Sequence, residues 1–176
     1  MKASARVQTC GKLYLVGEYA VLTAGQPAII KAIPIYMIGE IQTAPDYRLT
    51  SDMFEHSANL EPDPDYALIQ EAIGVMNAYL QDLDYQLQPF FLKISGKMEK
   101  DGKKFGIGSS GSVVILTLKA MAALYELDLE PELVFKLASY VLLQRGDNGS
   151  MGDLACIVYE DLIYYRSFDR ELVRKR

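Results

Sequence analysis

Apolar and polar positions along the chain follow two rhythms, one short and extended, the other helical. Leu13 to Val16 (LYLV) is a compact apolar run that predicts an extended segment, and Gly25-Gln26-Pro27 signals a turn before a second run, AIIKAIPIYMIG. Residues 45 to 64 contain Pro45, Pro62 and Pro64 among many acids, which predicts a loop or an irregular strand pair. From Asp65 the rhythm changes: Tyr66, Ile69, Ile73, Met76 and Leu80 recur at spacings of three and four, with Pro62, Asp63, Pro64 and Asp65 supplying the start of a helix. QPFFLKISG (Gln88 to Gly96) predicts a strand with Pro89 near its beginning, and KMEKDGKK after it a charged, hairpin-like loop.

The second half of the chain is dominated by helical periods. SVVILTLKAMAALYEL has helix length and a broad apolar face. Pro131 opens a further helix with Leu133, Leu137, Val141 and Gln144 in register, closed by Gly146. GDNGSMGDLACIVYEDLIYYRSF then predicts a glycine-rich turn, a short apolar helix and a strand from Leu162 to Phe168, after which DRELVRKR promises no compact closing element. Strands before, between and after helices favour an α+β fold over a repeating βαβ pattern.

Composition narrows the function classes. Half of the 176 residues are apolar and 23% charged, ordinary for a globular protein, and a net charge of −5 argues against a general nucleic-acid or membrane-surface binder. No apolar run approaches the roughly 18 residues that span a bilayer. MKASARVQTCGK has no apolar signal core, so the expected location is cytoplasmic. Cys10 and Cys156 read as free thiols rather than a bridge. A single histidine, His56, excludes His-cluster metal sites; in its polar surroundings it reads as a solvated loop residue.

The chemistry concentrates in FGIGSSGSVV, beginning at Phe105. Its glycines match the spacing of dinucleotide and protein-kinase loops, but the contexts fail. No apolar strand directly precedes Gly106, the only histidine lies upstream of the glycines, and no lysine ends the loop as a P-loop requires. What survives is general: small residues let backbone N–H groups approach an anion, and a helix from about Ser110 aims its positive end at it. Ser109, Ser110 and Ser112 add hydroxyls for phosphate oxygens or a magnesium ion. A Gly/Ser turn capping a buried helix remains the alternative at this point.

Three stretches taken in order, CGKLYLVGEYAVLTAGQPAI (Cys10 to Ile29), KKFGIGSSGSV (Lys103 to Val113) and NGSMGDLACIVY (Asn148 to Tyr159), resemble the GHMP kinases, the superfamily of galactokinase, homoserine kinase, mevalonate kinase and phosphomevalonate kinase. Ile107 stands where the family's phosphate loop usually has leucine, and Tyr19 where mevalonate kinases usually have histidine. GEYAVL, GSSGSV and NGSMGDLA together resemble the branch acting on 5-phosphomevalonate. The resemblance implies an N-terminal GHMP domain with the ribosomal-protein-S5-domain-2-like fold, its C-terminal partner domain missing from a truncated chain. It implies ATP over Gly106, Ile107, Gly108, Ser109, Ser110, Gly111 and Ser112, with Ser110 nearest Mg2+. It also places Lys12 at the transferred phosphoryl group, Asp153 as the active-site aspartate, and Tyr19 and Ser150 at the acceptor. Each has a plainer counterpart: a surface lysine for Lys12, a helix-dipole partner for Asp153, core packing for Tyr19. Lys97, Lys100, Lys103 and Lys104 read as a solvated loop before they read as steering charge. The expected activity is ATP-dependent phosphorylation of 5-phosphomevalonate, against mevalonate kinase, diphosphomevalonate decarboxylase or a non-catalytic fragment. Self-association through surface left bare by the missing domain is a further expectation.

Overall fold

The structure is a computed structural model that describes residues 1–96, 99–100, 103–104 and 109–175. Its strands are β1 (Ser4–Val16), β2 (Pro27–Thr43), β3 (Arg48–Ser51), β4 (Phe90–Ser95), β5 (Glu99–Lys100), β6 (Lys103–Lys104) and β7 (Leu162–Arg166). Its helices are α1 (Ala67–Asp82), α2 (Ser109–Leu124), α3 (Pro131–Gln144), α4 (Gly152–Tyr159) and α5 (Arg170–Arg174).

The long β2 organises the sheet. β1 runs antiparallel along one side of it, from Ser4↔Gln42 to Val16↔Ile29. The other side is shared end to end: β4 pairs with Ile38 to Thr43, and β7 with Pro27 to Lys31. β3 joins β4 in parallel, with α1 connecting them, so the sheet is mixed and the fold α+β as expected.

One face of this sheet carries the helices. Val114, Ile115, Leu116, Leu118, Ala120 and Met121 of α2 are all buried, and a helix apolar on every side must be surrounded. α2 accordingly lies on β1 and β2 and also packs against α1, α3 and α4. α1 buries Ile69, Ile73, Met76 and Leu80, the residues its spacing singled out. The charged loop pairs Glu99 with Lys104 and Lys100 with Lys103, a hairpin as expected.

Two readings need correction. α3 begins at Pro131 but buries Val134, Ala138 and Val141, while Leu133 and Leu137 are only partly covered and Gln144 is exposed. The chain also closes with a short helix, α5, whose start is capped by Asp169 accepting the Leu172 N–H at 3.0 Å.

The most consequential local feature is a break in β1. Between Cys10 and Gly11 its register against β2 jumps, from Cys10↔Tyr36 to Gly11↔Ile33. Pro34 and Ile35 of β2 are left unopposed, and the inward parity changes on both strands, from Thr9 to Lys12 on β1 and from Met37 to Ala32 on β2. Beyond the break Lys12 is 8% exposed, whereas Leu13, in the middle of the apolar run, is 49% exposed.

Candidate active site

Lys12 and Tyr14 are two residues apart on β1 and so share a face. The Lys12 Nζ sits 4.8 Å from the centroid of the Tyr14 ring. Opposite them the chain turns into α4. Ser150 is buried; its Oγ lies 3.1 Å from the Tyr14 hydroxyl and accepts the Gly152 N–H at 3.2 Å. The Tyr165 hydroxyl donates to the Ser150 carbonyl at 2.6 Å. Met151, at φ 65°, takes the left-handed conformation that swings the chain into the helix. Gly152 is required there by space: a Cβ would stand 2.8 Å from both the Tyr14 hydroxyl and Ile30 Cδ1.

Asp153 follows in the first turn of α4. Burial raises its carboxyl pKa above the ordinary aspartate value; the Leu154 N–H and the charge of Lys12 pull against that rise. Its carboxylate faces the start of α2, where a Cβ on Gly111 would lie 3.1 Å from Asp153 Oδ2. Any larger residue at Gly111 would therefore push the carboxylate from the helix end. Asp153 is thus both a helix-start carboxylate and a partner of Lys12, and Lys12 is no surface lysine.

The start of α2 divides its serines. Ser109 begins the helix and Ser110 is exposed in its first turn. Ser112 points the other way. Fully buried, it donates its hydroxyl to the Cys10 carbonyl at 3.0 Å, and its own carbonyl accepts from Thr9 Oγ1 at 3.4 Å. Ser112 was expected to offer its hydroxyl to ATP; it anchors α2 to β1 instead. Ser112→Ala is therefore expected to cost about 1 kcal/mol of stability, read by urea unfolding. Ser110→Ala, at an exposed hydroxyl, should leave stability within about 0.5 kcal/mol of the wild type. Gly106, Ile107, Gly108 and Lys97 lie outside the described residues.

Tyr19 is 82% exposed, beside the one-turn 3-10 helix Ala20–Leu22, which removes the core-packing reading and leaves a phenol open to a ligand. Cys10 and Cys156 are buried free thiols as expected, and burial pushes the Cys156 thiol up to about 12, far from reactive. His56 is exposed but not merely solvated. Its Nε2 meets Asp63 Oδ2 at 2.8 Å, while Asp63 Oδ1 accepts the Asp65 N–H, so the trio ties the loop before α1 to the helix start. A groove of about 690 Å³ between Tyr47, Arg48, Asn59, Asp63 and Phe91 contains neither Lys12 nor Asp153. Among the described residues no helix is long and apolar enough to cross a membrane.

Sequence reasoning missed Tyr14 and Tyr165. The signal for Tyr14 was available: position i+2 after a candidate lysine in a strand shares its face.

A buried ammonium, a carboxylate and the N-terminus of a long helix around one space are the parts of a phosphate-handling site. The chain belongs to the GHMP kinases: the family described as "GHMP kinases N terminal domain" matches residues 67–161, more than half of it. Among curated proteins it is 30% identical to the phosphomevalonate kinase of Streptomyces sp. (strain CL190), aligning over 93% of this chain and 50% of that one. Among solved structures, Streptococcus pneumoniae phosphomevalonate kinase in complex with phosphomevalonate and AMPPNP superposes with a TM-score of 0.95 at 58% identity, over 97% of this chain and 52% of that one. Methanococcus jannaschii mevalonate kinase superposes with a TM-score of 0.79 at 26% identity, over 92% of this chain and 53% of that one. The chain thus spans about half the length of the relatives it matches, and its fold is that of their N-terminal domain.

Proposed function

We propose that the chain is the ATP-binding half of a cytoplasmic phosphomevalonate kinase, which transfers the γ-phosphate of ATP to 5-phosphomevalonate, giving 5-diphosphomevalonate and ADP. The observation that carries this is the burial of Lys12 against the strand face opposite Asp153 and the α2 start; the similarity to the pneumococcal enzyme supports the choice of acceptor. ATP phosphates lie along Ser109, Ser110 and Gly111, where the helix N-terminus favours negative charge. Ser110 and Asp153 offer a hydroxyl and a carboxylate, oxygen donors of the kind Mg2+ takes alongside water and phosphate. When bound, the ion supplies neutralisation of phosphate charge.

The remaining work falls to this chain's own side chains. Lys12 places its ammonium between donor and acceptor phosphates, lowering the repulsion of two anions brought together. Ser150, fixed by three hydrogen bonds through its Oγ and carbonyl, orients the acceptor, with Tyr19 at the exposed rim. An acceptor phosphate has a second pKa of about 6 and is mostly ionised at neutral pH, so no strong base is needed to generate its nucleophile. The test is ADP release by a full-length kinase containing these residues, with 5-phosphomevalonate, mevalonate and 5-diphosphomevalonate compared. Preference for 5-phosphomevalonate is expected; preference for either of the others overturns the assignment.

The outer face of the sheet bears on how residues 1–176 behave alone. Leu13 and Leu162 flank Lys31 across three strands, and Ile29 pairs with Tyr164, all exposed. We propose that in a full-length kinase the second half covers this face. Without it, concentration-dependent self-association is expected in sedimentation velocity and should be abolished by Leu13→Glu with Leu162→Glu. A wild-type chain monomeric at every concentration would refute this.

A further inference from the structure

We propose that Tyr14 is a positioning residue that couples Lys12 to Ser150 and so sets the acceptor's place relative to the transferred phosphoryl group. No role for this position was expected from the sequence. The proposal deepens the phosphomevalonate kinase reading and rests on it for its kinetic consequences.

Tyr14 is the side chain that touches both halves of the site. Its ring lies under the Lys12 Nζ at 4.8 Å, within the range of a cation–π contact. Its hydroxyl reaches Ser150 Oγ at 3.1 Å, across 136 residues of sequence. Ser150 Oγ also accepts the Gly152 N–H, so the orientation of this hydroxyl is defined from two sides. The structural task of holding the Ser150 main chain already belongs to Tyr165, whose hydroxyl takes the Ser150 carbonyl and whose ring packs with Ala28, Ile30 and Cys156. Tyr14, by contrast, is only partly buried, and its polar end bonds the side chain of Ser150. Gly152 leaves room for that hydroxyl, since a Cβ there would stand 2.8 Å from it. The strand bearing Lys12 and the turn bearing Ser150 and Asp153 are thereby held in one geometry.

Two substitutions separate the two contacts. Tyr14→Phe keeps the ring and removes the hydroxyl. In a full-length kinase it should raise KM for 5-phosphomevalonate about two- to tenfold, the worth of one hydrogen bond, with kcat and KM for ATP little changed. Tyr14→Leu also removes the ring and should lower kcat about tenfold, the worth of a partly desolvated cation–π contact. Because the hydroxyl acts through Ser150, Tyr14→Phe added to Ser150→Ala should cost nothing further. Additive losses in that pair, or equal losses of kcat and of affinity for both substrates in Tyr14→Phe, would assign Tyr14 a purely structural role.

A second readout needs no substrate. The ε-methylene protons of Lys12 should carry a ring-current shift in NMR spectra of residues 1–176, kept in Tyr14→Phe and lost in Tyr14→Leu. An unchanged Lys12 signal in Tyr14→Leu overturns the coupling whatever the substrate is. If the wild-type kinase ignores 5-phosphomevalonate while the ring-current pattern appears as expected, the acceptor assignment falls and the Tyr14–Lys12 contact stands.

Discussion

Lys12→Met is expected to damage phosphorylation of 5-phosphomevalonate more than Asp153→Asn does. Removing one preorganised charge from a phosphoryl-transfer site costs about 10²- to 10³-fold in kcat, and the mechanism proposed above gives that part to Lys12 on β1. Asp153→Asn should cost about tenfold, because an acceptor that is already an anion leaves general-base catalysis little to contribute. The pH dependence follows with a definite sign. Folding raises the Asp153 pKa, so if its carboxylate were the essential base, activity would be lost as pH falls through that raised value. If acceptor ionisation governs instead, activity is lost as pH falls through about 6, and this limb persists in Asp153→Asn. Steady-state kinetics across pH, with ATP affinity measured alongside, decide the matter. An Asp153→Asn enzyme slower than Lys12→Met with binding unchanged would reverse the ranking, and disappearance of the acid limb in Asp153→Asn would restore the aspartate as base.

Gly152→Ala is the second large effect. The added methyl would stand 2.8 Å from Ile30 Cδ1 and from the Tyr14 hydroxyl, and 2.9 Å from Tyr165 Cδ1, closer than real side chains approach. Overpacking of this kind costs about 1–3 kcal/mol. The strain falls on Tyr14 and Tyr165, the two tyrosines that hold Ser150, so turnover should fall with stability. Gly74→Ala in α1 is the contrast: nothing lies within 4 Å of its Cβ position, and alanine there should stabilise by about 0.5–1 kcal/mol. Thermal and urea unfolding of the two variants should therefore move in opposite directions. A Gly152→Ala protein as stable as the wild type would show that the turn into α4 can relax.

Much of the fold was legible because local rules and tertiary packing agreed. Pro131 did start a helix, the stripe from Ile69 to Leu80 did face the core, and the charged loop did form a hairpin. α3 was misphased because Leu133 and Leu137 adjoin Val134 and Ala138: two apolar stripes lie side by side, and only packing against α2 and α4 selects one. Ser112 was misread for a related reason. Three serines in a row of small residues look alike, but helix geometry sends successive side chains about 100° apart, and Ser112 meets β1 while Ser110 meets solvent.

The sequence alone determined most of the elements, and through the family resemblance it proposed the α2 start, Lys12, Ser150 and Asp153 as candidates for the site. Tertiary structure decided where they point. Alternation along LYLV makes the leucines as eligible for burial as Lys12 and Tyr14, and hydrophobicity alone would favour them. The irregularity at Cys10 and Gly11 inverts that choice: β2 slips two residues past β1 there, and the inward positions of β1 change from Ala5, Val7 and Thr9 to Lys12 and Tyr14. That slip belongs to the pairing of two strands, which no period within one strand encodes, and it brings Lys12 and Tyr14 to the turn that carries Ser150 and Asp153.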